Sequence, residues 1–89
     1  MTYKESLKWQ EKEKAFLDTL DLTKYLTDDK SIYTIMDEIY DDHNSEYQEE
    51  DGIFNCMDQY EFMDYLMIRY KGLYFYEYSE MRVRMQSKK

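Results

Sequence analysis

The stretch KSIYTIMDEIYDD at residues 30–42 sets Ile32, Ile35, Met36, Ile39 and Tyr40 three and four positions apart, which gathers apolar side chains on one stripe of an α-helix. Asp28 or Asp29 ahead of it offers an N-cap side chain, so a helix is predicted over residues 30–42. On its C-terminal side lie a polar loop at residues 43–51 and a short apolar stretch at residues 53–57, readable as strand or loop. Asp58 followed by Glu61 then has the form of a helix cap with a first-turn carboxylate. Phe62, Met63, Leu66, Met67 and Tyr70 continue as an apolar face, giving a helix over residues 58–71 that Gly72 stops. Beyond it Met81, Val83 and Met85 alternate with Arg82, Arg84 and Gln86, so residues 73–86 read as extended chain, broken or bent near Ser79. A strand needs a partner, either within this segment, in residues 53–57, or in a second subunit, which makes a homodimer one of the open arrangements.

On the N-terminal side, residues 3–17 are rich in helix formers with an uneven stripe of Leu7, Trp9, Ala15, Phe16 and Leu17. A short helical piece through Leu20, Leu22, Tyr25 and Leu26 follows. The expected fold is a single mainly helical α+β domain over residues 1–89, with three principal helices and an extended C-terminal segment. Its expected core is Phe16, Leu20, Ile32, Ile35, Met36, Ile39, Phe62, Leu66 and Val83.

Twenty Asp and Glu oppose twelve Lys and Arg, for a net charge of −8 and a pI near 4.5. That charge disfavours direct binding to nucleic acid or anionic lipid and favours a basic partner. Cys56 is the only cysteine, which excludes an intrachain disulfide and points to a reducing cytosol. No apolar run reaches the length of a membrane span, and the charged N-terminal residues do not read as a signal peptide. The acidity is concentrated: residues 28–64 carry thirteen carboxylates against Lys30 alone, whereas residues 65–89 are net positive.

No catalytic or cofactor motif emerges. His43 is the only histidine, in the run Asp41-Asp42-His43-Asn44, and reads as a solvated helix end. Asp42, Asn44 and Glu46 have the odd-position spacing of a calcium loop, but Tyr47 stands where that loop needs Gly and Ile53 where it needs Glu. Cys56 reads as a small buried hydrophobe. The expectation is a protein that is no enzyme and requires no cofactor or metal.

The carboxylates themselves are the candidate site. Asp37 and Asp41, Glu38 and Asp42 lie four apart on a helix, and Asp58, Glu61 and Asp64 lie three apart. Such like-charged pairs each weaken a helix by roughly 0.2–0.5 kcal/mol, a cost with no folding return. Rows of carboxylates a few ångströms apart can stand in for phosphates, which follow one another at about 3.4 Å per strand. Tyr33, Tyr40, Tyr47, Tyr60, Tyr65 and Tyr70 are interleaved with them, and Tyr74 and Tyr76 share a face if residues 73–78 are extended. About half the tyrosines are expected in the core, the others at a partner surface.

In size, acidity and richness in Asp, Glu and Tyr, residues 28–64 above all, the chain resembles the small phage-encoded DNA-mimic inhibitors of the anti-restriction and anti-CRISPR type. The resemblance implies a cytoplasmic inhibitor, in the host cell if phage-encoded, that occupies the basic nucleic-acid-binding surface of a target protein. Its contact residues would be Asp37, Glu38, Asp41, Asp42, Glu49, Glu50, Asp51, Asp58, Glu61, Asp64, Tyr74 and Tyr76. The alternative is a regulatory adaptor or antitoxin-like protein that binds through Tyr- and Met-rich surfaces.

Overall fold

The computed structural model describes residues 2–27, 29–47, 49 and 52–86. Three helices and one hairpin follow in order: α1 (Tyr3–Asp18), α2 (Ile32–His43), α3 (Gln59–Arg69), β1 (Tyr74–Glu77) and β2 (Arg82–Met85), with single 3-10 turns at Thr23–Tyr25 and Asn44–Glu46. None of these helices is long and apolar enough to cross a membrane.

The helix starts show how local chemistry sets the boundaries. Thr2 caps α1 by accepting from the Glu5 N–H at 3.2 Å, and its hydroxyl donates to Glu5 Oε1 at 3.3 Å. Asp58 caps α3 by accepting from the Glu61 N–H at 2.9 Å, as its spacing predicts. The cap of α2 is Ser31, which accepts from the Tyr33 N–H at 3.2 Å, and this corrects the assignment to Asp28 or Asp29. Asp28 lies outside the described residues. Asp29 cannot serve because its backbone is committed to β2: at φ +66° its N–H donates to the Val83 carbonyl at 2.8 Å.

Residues 73–86 fold back on themselves, the first of the three pairings open to that segment. The antiparallel register sets Tyr74 opposite Met85, Phe75 opposite Arg84, Tyr76 opposite Val83 and Glu77 opposite Arg82. The far edge of β2 is used as well: Val83 N–H donates to the Lys30 carbonyl at 3.0 Å and Ile32 N–H to the Met81 carbonyl at 2.8 Å. The entry to α2 thus acts as a third rung. Residues 53–57 form turns and no strand, with Ile53 and Met57 buried.

Ile32, Ile35, Ile39, Phe62, Leu66 and Val83 are fully buried, while Phe16, Leu20 and Met36 only flank the core. Leu17, Leu22, Tyr25, Leu26, Tyr47, Ile53, Met57, Met63, Tyr65, Tyr70 and Tyr76 also belong to the core. Helix α1 is seated by its C-terminal half alone; Tyr3 at its start is 79% exposed. Arg69 of α3 holds that seat by donating to the carbonyls of Leu17, at 2.8 Å, and Leu20. A cation there adds to the bonds of the last carbonyls and meets the negative end of the helix dipole.

Tyr76 was expected at a partner surface, and the structure moves it to the core at 5% exposure. The reason is its pairing with Val83, which turns that face of the hairpin inward. Among the described residues its hydroxyl has no hydrogen-bond partner, and burial raises its pKa. An unsatisfied buried hydroxyl costs about 1–3 kcal/mol. Tyr76→Phe is therefore expected to leave stability unchanged or raise it by about 1 kcal/mol in urea denaturation, and a loss of that size would show that the hydroxyl is engaged.

Candidate functional site

The outward side of α2 carries Tyr33, Asp37, Tyr40 and Asp41, all exposed. The steps of four and three between them draw one stripe along the helix. Asp37 and Asp41 have no hydrogen bond or ion pair among the described residues. The other predicted carboxylates are already engaged. Glu38 pairs with Lys30 at 2.7 Å, Glu49 with Lys12 at 3.2 Å, and Asp42 stands 4.0 Å from Lys24. Asp58 is spent as the α3 cap, Glu61 lies half-buried in the first turn beside it, and Asp64 accepts from the Tyr78 hydroxyl. Glu50 and Asp51 lie outside the described residues. Tyr74 is half-buried, edge-on to Tyr70.

The arginines of the C-terminal segment are similarly tied down. Arg84 bridges Asp29, Glu77 and Glu80, Arg82 contacts Glu80 and the Asp29 carbonyl, and Arg69 is the α1 cap. The charge separation visible along the sequence is thus closed in part by local pairs, with Asp37 and Asp41 of α2 among the carboxylates that stay open.

Asp42 and His43 do meet, through a residue the sequence did not point to. The Tyr25 hydroxyl donates to Asp42 Oδ2 at 2.5 Å and lies 3.1 Å from His43 Nε2, while His43 Nδ1 lies 2.9 Å from Glu46 Oε2. Burial and the Asp42 carboxylate raise the Tyr25 pKa, so this hydroxyl is a fixed donor. The arrangement locks the end of α2 to the turn at Thr23–Tyr25. Asn44 serves structure too, since its Oδ1 accepts the Ile53 N–H at 2.9 Å.

Glu13 is the residue that sequence reasoning missed. It is 1% exposed, the sole charged side chain buried among the described residues. Its Oε1 accepts the Cys56 N–H at 3.1 Å, and nearby Gln10 donates to the Cys56 carbonyl at 3.1 Å. Burial raises its pKa from 4.5 against the opposing pull of backbone amides at Cys56, Asn55, Phe54 and Met57. Cys56 itself is half-buried, more open than expected. The one sequence signal for Glu13 was its place four residues before Leu17, on the same face of α1. A groove of about 520 Å³ is lined by Met67, Ile68, Lys71, Tyr74 and Phe75, among others, and Ile68 is 81% exposed.

Comparison with known protein families, with curated proteins and with solved structures finds no match to this chain. The functional argument therefore rests on the geometry.

A carboxyl whose pKa is raised by folding binds protons more tightly in the native state, so its contribution is full below pH 4.5 and is lost as pH rises through the folded value. Glu13→Gln removes that titration while keeping an acceptor for Cys56. The stability of the parent relative to Glu13→Gln should fall as pH rises from 4.5, measured by urea denaturation across a pH series. A difference that is flat with pH would contradict the burial of this carboxyl.

Proposed function

We propose that this is a non-enzymatic inhibitor that binds the basic, nucleic-acid-binding surface of a target protein, presenting carboxylates where phosphates would sit. The observation that carries the reading is the α2 stripe: Asp37 and Asp41 stay open to solvent although cations elsewhere in the chain are paired with other carboxylates. Tyr33 and Tyr40 beside them supply flat contact area and hydroxyl groups at low entropic cost. Glu61 and Asp64 on α3 would add further carboxylates to the contact. The protein would act in the cytosol and bind no nucleic acid itself.

A second reading, an adaptor that binds through apolar contact, is favoured by Ile68 and its neighbours Met67, Leu73, Phe75 and Met85, all exposed. Scattered exposed apolar residues are ordinary, but Met67, Ile68 and Phe75 line one groove, which is the pattern of an interaction surface. The two readings use opposite parts of the sequence and respond differently to salt.

The test captures the partner from a cytosolic extract and measures its affinity for the parent, for Asp37→Asn/Asp41→Asn/Glu61→Gln, and for Ile68→Ser. Under mimicry the neutralised variant binds on the order of tenfold or more weakly, duplex nucleic acid competes, and affinity falls with salt. Removal of i,i+4 repulsion leaves the variant at least as stable as the parent. Unchanged binding by the neutralised variant together with loss in Ile68→Ser would replace the mimic with the adaptor.

A further inference from the structure

Between α1 and the turn at residues 52–56 lies a cavity of about 160 Å³ walled by Trp9, Glu13, Tyr47, Glu49, Asn55 and Cys56. A cavity of about 150 Å³ is large enough for a benzene-sized guest. Two of its wall residues already hold an ammonium group: Lys12 Nζ sits 4.5 Å from the centre of the Trp9 ring and 3.2 Å from Glu49 Oε1. Deeper in the wall, Glu13 has an unmet need. Its Oε1 is engaged by the Cys56 N–H, but its Oε2 is buried without a hydrogen-bond partner among the described residues. Two carboxylates and an aromatic face are served by a single lysine that reaches only the outer pair.

We infer that this cavity binds a small organic cation bearing N–H donors, an alkylammonium or guanidinium, which donates to Glu13 Oε2 and lays its charge against Trp9. Trp is the strongest aromatic partner for a cation, and a desolvated site strengthens the contact. Lys12 is then the resident competitor, holding Trp9 and Glu49 until a guest arrives. The groups facing Glu13 are Tyr47, whose pKa burial pushes up to about 12, together with Glu49 and Cys56. A bound cation favours the ionised carboxyl, so binding at a pH where Glu13 is protonated releases a proton, and affinity rises with pH.

The probe is methylguanidinium, titrated into the full chain and followed by the amide signals of Asn55 and Cys56 and by calorimetry. Saturable binding to the parent is expected, severalfold tighter in Lys12→Met, where the competitor is gone, and at least tenfold weaker in Trp9→Leu and Glu13→Gln. Tetramethylammonium, which lacks N–H donors, should bind at least tenfold more weakly than methylguanidinium. The inference is overturned by an absence of saturable shifts, by Lys12→Met binding more weakly than the parent, or by an equal response to tetramethylammonium. If Glu13→Gln fails to give the circular dichroism of the parent, Lys12→Met and Trp9→Leu decide the matter.

Discussion

The burial of the Glu13 carboxylate is the constraint on which the arrangement of α1 depends. A helix whose first turn is exposed needs specific holds, and two of those on α1 reach its buried side and its end. Glu13 binds the turn that precedes α3, and Arg69 at the end of α3 binds the carbonyls where α1 stops. The turn is shaped to receive the carboxylate: Gly52 at φ +80° and Phe54 at φ +67° are left-handed, which lets successive amides face one anion. It is held from the other side by Asn44, whose side chain accepts from Ile53 and stands 3.1 Å from where a Cβ on residue 52 would fall. A side chain at that glycine would therefore meet both backbone strain and the end of α2.

The second organising contact is the use of both edges of β2. Strand β1 takes one edge and residues 29–31 the other, so the start of α2 is fixed to the hairpin by backbone hydrogen bonds. Its far end is fixed through Tyr25, Asp42 and His43. A helix restrained at both ends presents Tyr33, Asp37, Tyr40 and Asp41 in one geometry, which suits the recognition of a surface with fixed spacing. The unrelieved repulsion between Asp37 and Asp41 is tolerable because tertiary contacts, more than helix propensity, keep α2 folded.

Much of the fold was legible because α2 and α3 carry strong 3.6-residue patterns and because Asp58 stands where a cap is needed. The hairpin was legible from the alternation around Val83, although Val83 alone of those three apolar residues is fully buried. The rest depends on partners distant in sequence. Ser31 became the α2 cap because β2 claimed the backbone of residues 29 and 30. Tyr74, Tyr76 and Tyr78 look alike in sequence, and only the register with β2 sends Tyr76 inward. Glu13, between Lys12 and Lys14, reads as a solvated charge until the amides of residues 54–57 are seen to converge on it. Of the candidate site, Asp37 and Asp41 stayed exposed as anticipated, but the pairing of Glu38, Glu49 and Asp42 with lysines was invisible without the tertiary fold.

The two faces of the molecule divide the work: the hairpin and α2 hold the acidic stripe, while Glu13 and Arg69 hold α1 against them. The most direct test of that division is amide hydrogen exchange on the parent and Glu13→Ala. Loss of the carboxylate should abolish protection at Cys56 and lower it through α1, while the core of α2 and the β1–β2 pairing keep theirs. Uniform loss across all elements, or protection at Cys56 that survives the substitution, would contradict the account.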